Sequence, residues 1–380
     1  MKKVILIPDS FKGTLSSEDI CSIMSKNVKK HFADCEVVSI PVADGGEGSV
    51  DCFLSAVGGE KITKTVKNPY FEDMESFYGT INGGETAVIE MASCAGLPLV
   101  EDRKDPKKTT TYGVGQLIMA AAQKGCKKII VGLGGSSTND GGCGAAAAVG
   151  VKFFNKQGEE FIPVGGTLKD IAKIDLSKRS DLIADIEIVT MCDIDNPMFG
   201  TKGAAYIFGP QKGADKDTVV ELDNGLRNLC HVIKSDIGID LEDVPGGGAA
   251  GAMGAGMIAF FDSKLQMGIE TVLDTVNFDQ VIQDADMIFT GEGKIDTQSL
   301  RGKVVIGVAK RAKKKNVPVT VIVGGADCGI DDAYEMGVTS IFTINRLPED
   351  FAVSRTKSKE NMEATMDNIL RLMKSVNKNK

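Results

Sequence analysis

The 380-residue sequence has no tryptophan and only two histidines, His31 and His231. So few imidazoles argue against a zinc enzyme and against a Ser-His-Asp hydrolase. Each histidine sits in a stretch with amphipathic helical spacing and reads as structural. The nine cysteines are scattered, Cys21 and Cys35 being the closest pair, and no Cys-x-x-Cys occurs. An odd, dispersed set reads as reduced thiols of a cytoplasmic protein, not as a disulfide frame or a zinc site. Long hydrophobic runs are also missing. The N-terminal run Val4-Ile5-Leu6-Ile7 stops at Pro8-Asp9, too short for the apolar region of a signal peptide. No segment approaches the ~20 apolar residues of a membrane span, so no membrane partner is expected. A basic excess is lacking as well. The net charge is -8 and the one dense basic run, residues 310–315, reads as the solvated end of a helix. Nucleic acid is therefore not expected as a partner.

Glycine, by contrast, is abundant, at 44 residues. It follows no collagen period and clusters in a few loops, which suggests a ligand site built largely from backbone. The most informative cluster lies in residues 128–150, KIIVGLGGSSTNDGGCGAAAAVG. Ile129-Ile130-Val131 reads as a buried strand, and Cys143-Gly144-Ala145-Ala146-Ala147-Ala148 as a closely packed helix. Between them runs Gly134-Gly135-Ser136-Ser137-Thr138-Asn139-Asp140-Gly141-Gly142. Strand, glycine loop and helix in that order make an anion-binding device, because glycines admit a phosphate to the backbone and helix N–H groups point at it. No Gly-Lys-Ser/Thr follows, so this is not a Walker A loop. The plainer reading is a sharp turn with a tight helix–strand contact. The three hydroxyls followed by Asn139-Asp140 favour phosphate.

The ends of the chain share a texture. Residues 4–7 and 36–40 read as strands, joined by a helix with Ser16 as N-cap and Asp19 completing a capping box. Residues 287–290, 319–323 and 339–344 read as further strands. Leu300, Val304, Val305, Val308, Ala309 and Ala312 form a helix face, and a closing amphipathic helix carries Met362, Met366, Ile369, Leu370 and Met373. From about Lys61 the middle turns to short alternating runs, with a hairpin expected at Asn82-Gly83-Gly84. A helix over 111–124 ends at Gly125, a strand spans 186–191, and residues 245–256 read as a second small-residue helix. The expected fold is α/β in two domains. Residues 1–60 and 285–380 form a discontinuous Rossmann- or flavodoxin-like parallel-sheet domain, and residues 61–284 an inserted α+β domain with the Gly/Ser-rich loop.

Several glycine-flanked loops carry carboxylates: Asp9, Asp44 with Glu47, Asp140, Asp193 with Asp195, and Glu292 with Asp296. Lys12, Lys212 and Lys294 occupy similar loops. Any one Asp is most simply an N-cap or Asx-turn. Their recurrence after strands is harder to explain by turns. Acids, lysines and glycine loops are the parts phosphoryl transfer needs: donors for nucleotide phosphates, carboxylates for Mg²⁺, and one acid to take the acceptor's proton.

Six motifs carry a resemblance over nearly the whole chain. They are Pro8-Asp9-Ser10-Phe11-Lys12-Gly13, Ala43-Asp44-Gly45-Gly46-Glu47-Gly48, the loop of residues 132–144, Cys192-Asp193-Ile194-Asp195-Asn196-Pro197, Phe208-Gly209-Pro210-Gln211-Lys212-Gly213, and Thr290-Gly291-Glu292-Gly293-Lys294-Ile295-Asp296. In these the chain closely resembles the bacterial glycerate kinases of the type 1 family. Lys294 stands where arginine is common, which keeps the charge but loses the guanidinium fork. The resemblance implies ATP-dependent, Mg²⁺-assisted phosphorylation of D-glycerate, feeding central carbon metabolism. It also implies two α/β domains with a cleft between them. Family members are described as making 2-phosphoglycerate or 3-phosphoglycerate, and the 2-phosphate is favoured here. On this reading Gly134, Gly135, Ser136, Ser137, Thr138, Asn139 and Asp140 cradle the ATP phosphates. Asp193 is first choice for general base or metal carboxylate and Asp296 second, with Asp193 and Asp195 as the Mg²⁺ pair. Lys294 assists catalysis. Asp9, Ser10, Lys12, Asp44 and Arg301 take the substrate, whose carboxylate gives the basic groups a clear task. The small molecule is the partner expected, and a homodimer is allowed.

Three other readings compete. A galactokinase- or mevalonate-kinase-like enzyme shares Gly134-Gly135-Ser136-Ser137 but fits the flanking motifs poorly. A non-catalytic sensor of a sugar acid would not need so many carboxylates. A dehydrogenase lacks its G-x-G-x-x-G after the first strand.

Overall fold

A computed structural model describes residues 1–43 and 45–377. The chain divides into two compact units, Met1–Ala43 with Met267–Lys380, and Asp44–Gln266.

The first unit is built on a five-stranded, wholly parallel sheet. Its order is Val338–Thr343, Val319–Val323, Met287–Gly291, Lys3–Pro8, Glu36–Ser39. Numbered within the unit this is 2-1-3-4-5, the flavodoxin-like order, whose switch point lies between its first and third strands. Those are Lys3–Pro8 and Met287–Gly291, in register from Val4 opposite Met287 to Pro8 opposite Gly291. Val4, Ile5, Leu6 and Ile7 are fully buried, as a strand covered on both faces requires. The helix Ser17–His31 starts at the expected capping box of Ser16 and Asp19. Its Ile20, Ile23, Met24 and Val28 share one core with Met362, Met366, Ile369 and Leu370 of the last helix, Ser358–Asn377. The basic run does end a helix, Val304–Lys314, but Arg311 is turned inward rather than solvated. It pairs with Glu270 at 2.6 Å and Asp274 at 2.5 Å, on the helix Gly268–Thr275. This packing puts residues 267–284 in the first unit rather than the inserted one.

The second unit holds a six-stranded sheet ordered Lys264–Gln266, Glu187–Met191, Lys128–Gly132, Thr86–Glu90, Asp73–Ile81, Glu60–Lys67. Its first four strands are parallel and only the last two are antiparallel. The expected α+β character holds for that antiparallel edge alone. The hairpin joining Asp73–Ile81 to Thr86–Glu90 turns at residues 82–84 as the sequence predicts. Most of the alternation read from the sequence falls on the two part-exposed strands Glu60–Lys67 and Asp73–Ile81, but the run over residues 87–91 falls on the parallel strand Thr86–Glu90, which is buried throughout. The helix Ser49–Val57 packs on the strands Asp73–Ile81 and Thr86–Glu90, so residues 44–60 join this unit instead of the first. The second small-residue helix is present as Ala249–Phe261, but it opens with Ala250, Gly251 and Ala252 at φ 55°, 67° and 67°. Three successive left-handed residues make a strained start. Among the described residues no helix is long and apolar enough to cross a membrane.

Candidate active site

The strand Lys128–Gly132 delivers the loop of residues 133–142 at its carboxyl end, where α/β ligand sites collect. The loop is pinned to another glycine loop. Gly134 N–H donates to the Gly45 carbonyl at 3.0 Å. A side chain at Gly134 would put its Cβ 2.5 Å from the Gly46 Cα, so only glycine fits. Ser137 braces the loop from within, its N–H and hydroxyl both reaching the Ala95 carbonyl at 2.9 Å. Thr109 Oγ1 donates to the Ser137 carbonyl at 2.9 Å.

Asp140 has a task different from the one expected. Its carboxylate is fully buried and accepts from Thr111 N–H and Thr111 Oγ1, each at 2.8 Å, from Gly142 N–H at 3.1 Å and from Gly144 N–H at 3.2 Å. The protein's own carboxylate therefore occupies the start of the helix Cys143–Ala148, which the sequence had suggested for phosphate. Burial pushes the Asp140 carboxyl up, and these donors pull it back.

A buried lysine absent from the expected site reaches the same loop. Lys212 is 2% exposed. Its ammonium donates to Ser136 Oγ at 2.8 Å and to the Thr138 carbonyl at 2.6 Å. No carboxylate among the described residues lies within ion-pair distance of it. Burial pulls Lys212 down to about 7, with Asp140 opposing. Thr138 Oγ1 and both amide atoms of Asn139 are buried without a hydrogen-bond partner among the described residues. Orphaned polar atoms beside a buried lysine without an ion-pair partner suit a polar ligand that carries negative charge. The sequence signal for Lys212 was its place in a glycine-bounded loop.

The neighbouring parallel strand Glu187–Met191 leads to the Asp193 loop. Asp193 is half-buried and Asp195 exposed. Among the described residues no group of three or more His, Cys, Asp or Glu is arranged to hold a metal ion. Mg²⁺ commonly needs only one or two protein carboxylates, because it keeps waters and takes substrate phosphates as its remaining ligands.

In the first unit the switch point gathers Asp9 and Glu292. Asp9 N–H donates to the Gly291 carbonyl at 2.8 Å, and Asp9 Oδ1 accepts from Ser10 N–H at 2.6 Å. Glu292 is 6% exposed and its Oε1 has no hydrogen-bond partner among the described residues. Asp296 forms an Asx-turn instead, accepting from Gln298 N–H at 2.8 Å and Ser299 N–H at 3.1 Å. Burial would raise its carboxyl, but these donors and the Lys303 and Lys294 charges hold it below the usual range. Lys294 is exposed and paired with Asp327 at 2.8 Å. Lys12 and Arg301 are exposed. Asp44 lies outside the described residues. A cavity of about 290 Å³, lined by Asn345, Arg346 and Lys357 among others, lies beyond the strand Val338–Thr343, and no expectation from sequence included it.

A profile of the glycerate kinase family matches residues 4–374. The chain is 42% identical over 373 residues to a glycerate kinase of Bacillus cereus, covering 98% of each. It is 42% identical over 343 residues to the glycerate 2-kinase of Escherichia coli, covering 90% of each. It also superposes, with a TM-score of 0.88 and 36% identity, on the crystal structure of a provisionally named glycerate kinase 2 from Salmonella typhimurium LT2, over 99% of both chains. A match that runs through all six motifs, on an α/β frame that sets its acids and glycine loops at strand ends, shows that the chain is an enzyme of the glycerate kinase family.

Proposed function

We propose that the protein transfers the γ-phosphoryl group of ATP to D-glycerate, giving 2-phospho-D-glycerate. The observation that carries this reading is Lys212, a buried cation joined to Ser136 and the Thr138 carbonyl with no carboxylate partner among the described residues. Such a lysine answers an anion on the loop, and a nucleotide phosphate matches the loop's donors. Gly134, Gly135, Ser136, Thr138 and Asn139 take the phosphates, while Ser137 and Asp140 hold the loop in shape. Asp193 and Asp195 would hold Mg²⁺, which would neutralise phosphate charge. Asp9, Ser10, Lys12, Asp44 and Arg301 take glycerate, with Lys294 exchanging Asp327 for the substrate's charge. The choice of the 2-phosphate is supported by the Escherichia coli relative's name. A cytoplasmic setting and a homodimer belong to the same reading.

The test is ATP consumption with D-glycerate and Mg²⁺, followed by ³¹P NMR of the product. A 2-phosphoglycerate resonance is expected. A 3-phosphoglycerate resonance would overturn the choice of hydroxyl, and glycerate binding without turnover would overturn the kinase. Asp193→Asn is expected to lower kcat strongly with folding intact, and near-normal turnover would remove Asp193 from the site.

A further inference from the structure

Three buried carboxylates stand at or near strand ends, and two of them are committed to the backbone. Asp140 accepts four hydrogen bonds at the start of the helix Cys143–Ala148. Glu90 accepts from Val50 N–H at 3.2 Å, at the start of the helix Ser49–Val57. Glu292 is different. Ser299 engages its carboxylate, but Oε1 is buried and has no partner among the described residues.

Its backbone is clamped. On one side Asp9 N–H is bonded to the Gly291 carbonyl. On the other, Gly325 N–H donates to the Gly293 carbonyl at 3.2 Å, and a short parallel pair joins Lys294–Ile295 to Gly325–Ala326. A Cβ on Gly324 would come within 2.5 Å of the Gly293 carbonyl oxygen, so close approach there requires glycine. A carboxylate on so pinned a segment is preorganised. It also sits at the topological switch point, where a doubly wound sheet offers its ligand crevice.

We infer that Glu292 is the general base of the reaction, Oε1 taking the proton of the glycerate hydroxyl. This rests on the kinase reading above. As the hydroxyl oxygen bonds to the γ-phosphorus, the bond from that phosphorus to the β,γ-bridging oxygen breaks. ADP leaves with that electron pair, and the proton moves to Oε1, later to be lost to water. The groups facing the carboxylate suit the task. Burial pushes it up to about 7, Asp9 and Asp296 push the same way, and Ser299 and Lys303 oppose. A base works best with a pKa near the working pH. Asp296, held low, is poorer on that count.

The test compares Glu292→Gln and Glu292→Asp with the wild type in steady-state phosphotransfer from pH 5.5 to 9. Wild-type kcat is expected to fall below pH about 7 with unit slope. Glu292→Gln is expected to lose at least about 100-fold in kcat and to lose that acidic limb, with KM for glycerate changed by less than about threefold. Glu292→Asp is expected to keep part of the activity, with its limb moved to lower pH. A Glu292→Gln enzyme within tenfold of wild type, or an unmoved limb in Glu292→Asp, would overturn the assignment. Failure of the wild type itself to phosphorylate glycerate would overturn the kinase reading, a separate result.

Discussion

Burial acts with opposite sign on Lys212 and Glu292, and each has a measurable consequence. Lys212 sits near 7 in the free protein, so at pH 8 much of it is neutral. An anion on Ser136 restores the charge, because an opposite charge nearby favours the ionised form. ATP binding at pH 8 is therefore expected to take up a substantial fraction of a proton, read by calorimetry in two buffers of different ionisation heat. Lys212→Met should abolish the uptake and weaken ATP binding at least about tenfold. Equal heats in both buffers for the wild type would count against the assignment. Glu292 has its folded pKa raised above the unfolded value. Its contribution is thus favourable below about 4.5 and is lost as pH rises through about 7. The distance between those values corresponds to about 3 kcal/mol as an upper figure. Glu292→Gln should then melt higher than the wild type at pH 8 and no higher at pH 4. A gain independent of pH would point to packing instead.

At the scale of elements, the loop of residues 134–140 and the helix Ala249–Phe261 make separate predictions. Gly134→Ala must push against the Gly46 backbone, which should lower stability by about 1–3 kcal/mol and reduce ATP affinity. Ala250 at φ 55° should do the reverse. Ala250→Gly removes a left-handed alanine, so Tm should rise by roughly 1–3 °C, and a fall would show that the turn is not strained. The strand, loop and helix around residues 128–148 were legible because each carries a local signal: an apolar run, clustered glycines, small residues. The left-handed turn was not. It is held by distant neighbours: Gly141 N–H donates to the Gly251 carbonyl at 3.1 Å, and Gly251 packs so close to the Thr138 carbonyl that no side chain fits there. Glu292 and Asp296 looked alike in sequence for a similar reason. Glu292 is set apart by its burial at the switch point, which only the folded unit creates, whereas Asp296 is held by the N–H groups of Gln298 and Ser299, two and three residues along.

For the whole molecule, the discontinuous first unit was visible in the matching texture of the chain ends. Its borders were not, because residues 44–60 and 267–284 are assigned by what they pack on. A polypeptide of residues 44–266 is expected to unfold cooperatively on its own. Residues 267–380 alone should not, since their sheet lacks the strand Lys3–Pro8. Chemical denaturation of the two fragments checks this, and cooperative folding of the second would contradict it. The same strand sets a timetable for synthesis. Ile7 and its hydrogen-bonding partner Thr290 are 283 residues apart. At roughly 5–20 residues per second, the ribosome leaves Val4-Ile5-Leu6-Ile7 without the neighbour on that side for roughly 15 to 60 seconds. During that interval a strand with four consecutive apolar residues is an open edge, and the nascent chain is a natural client for chaperones until residue 291 emerges.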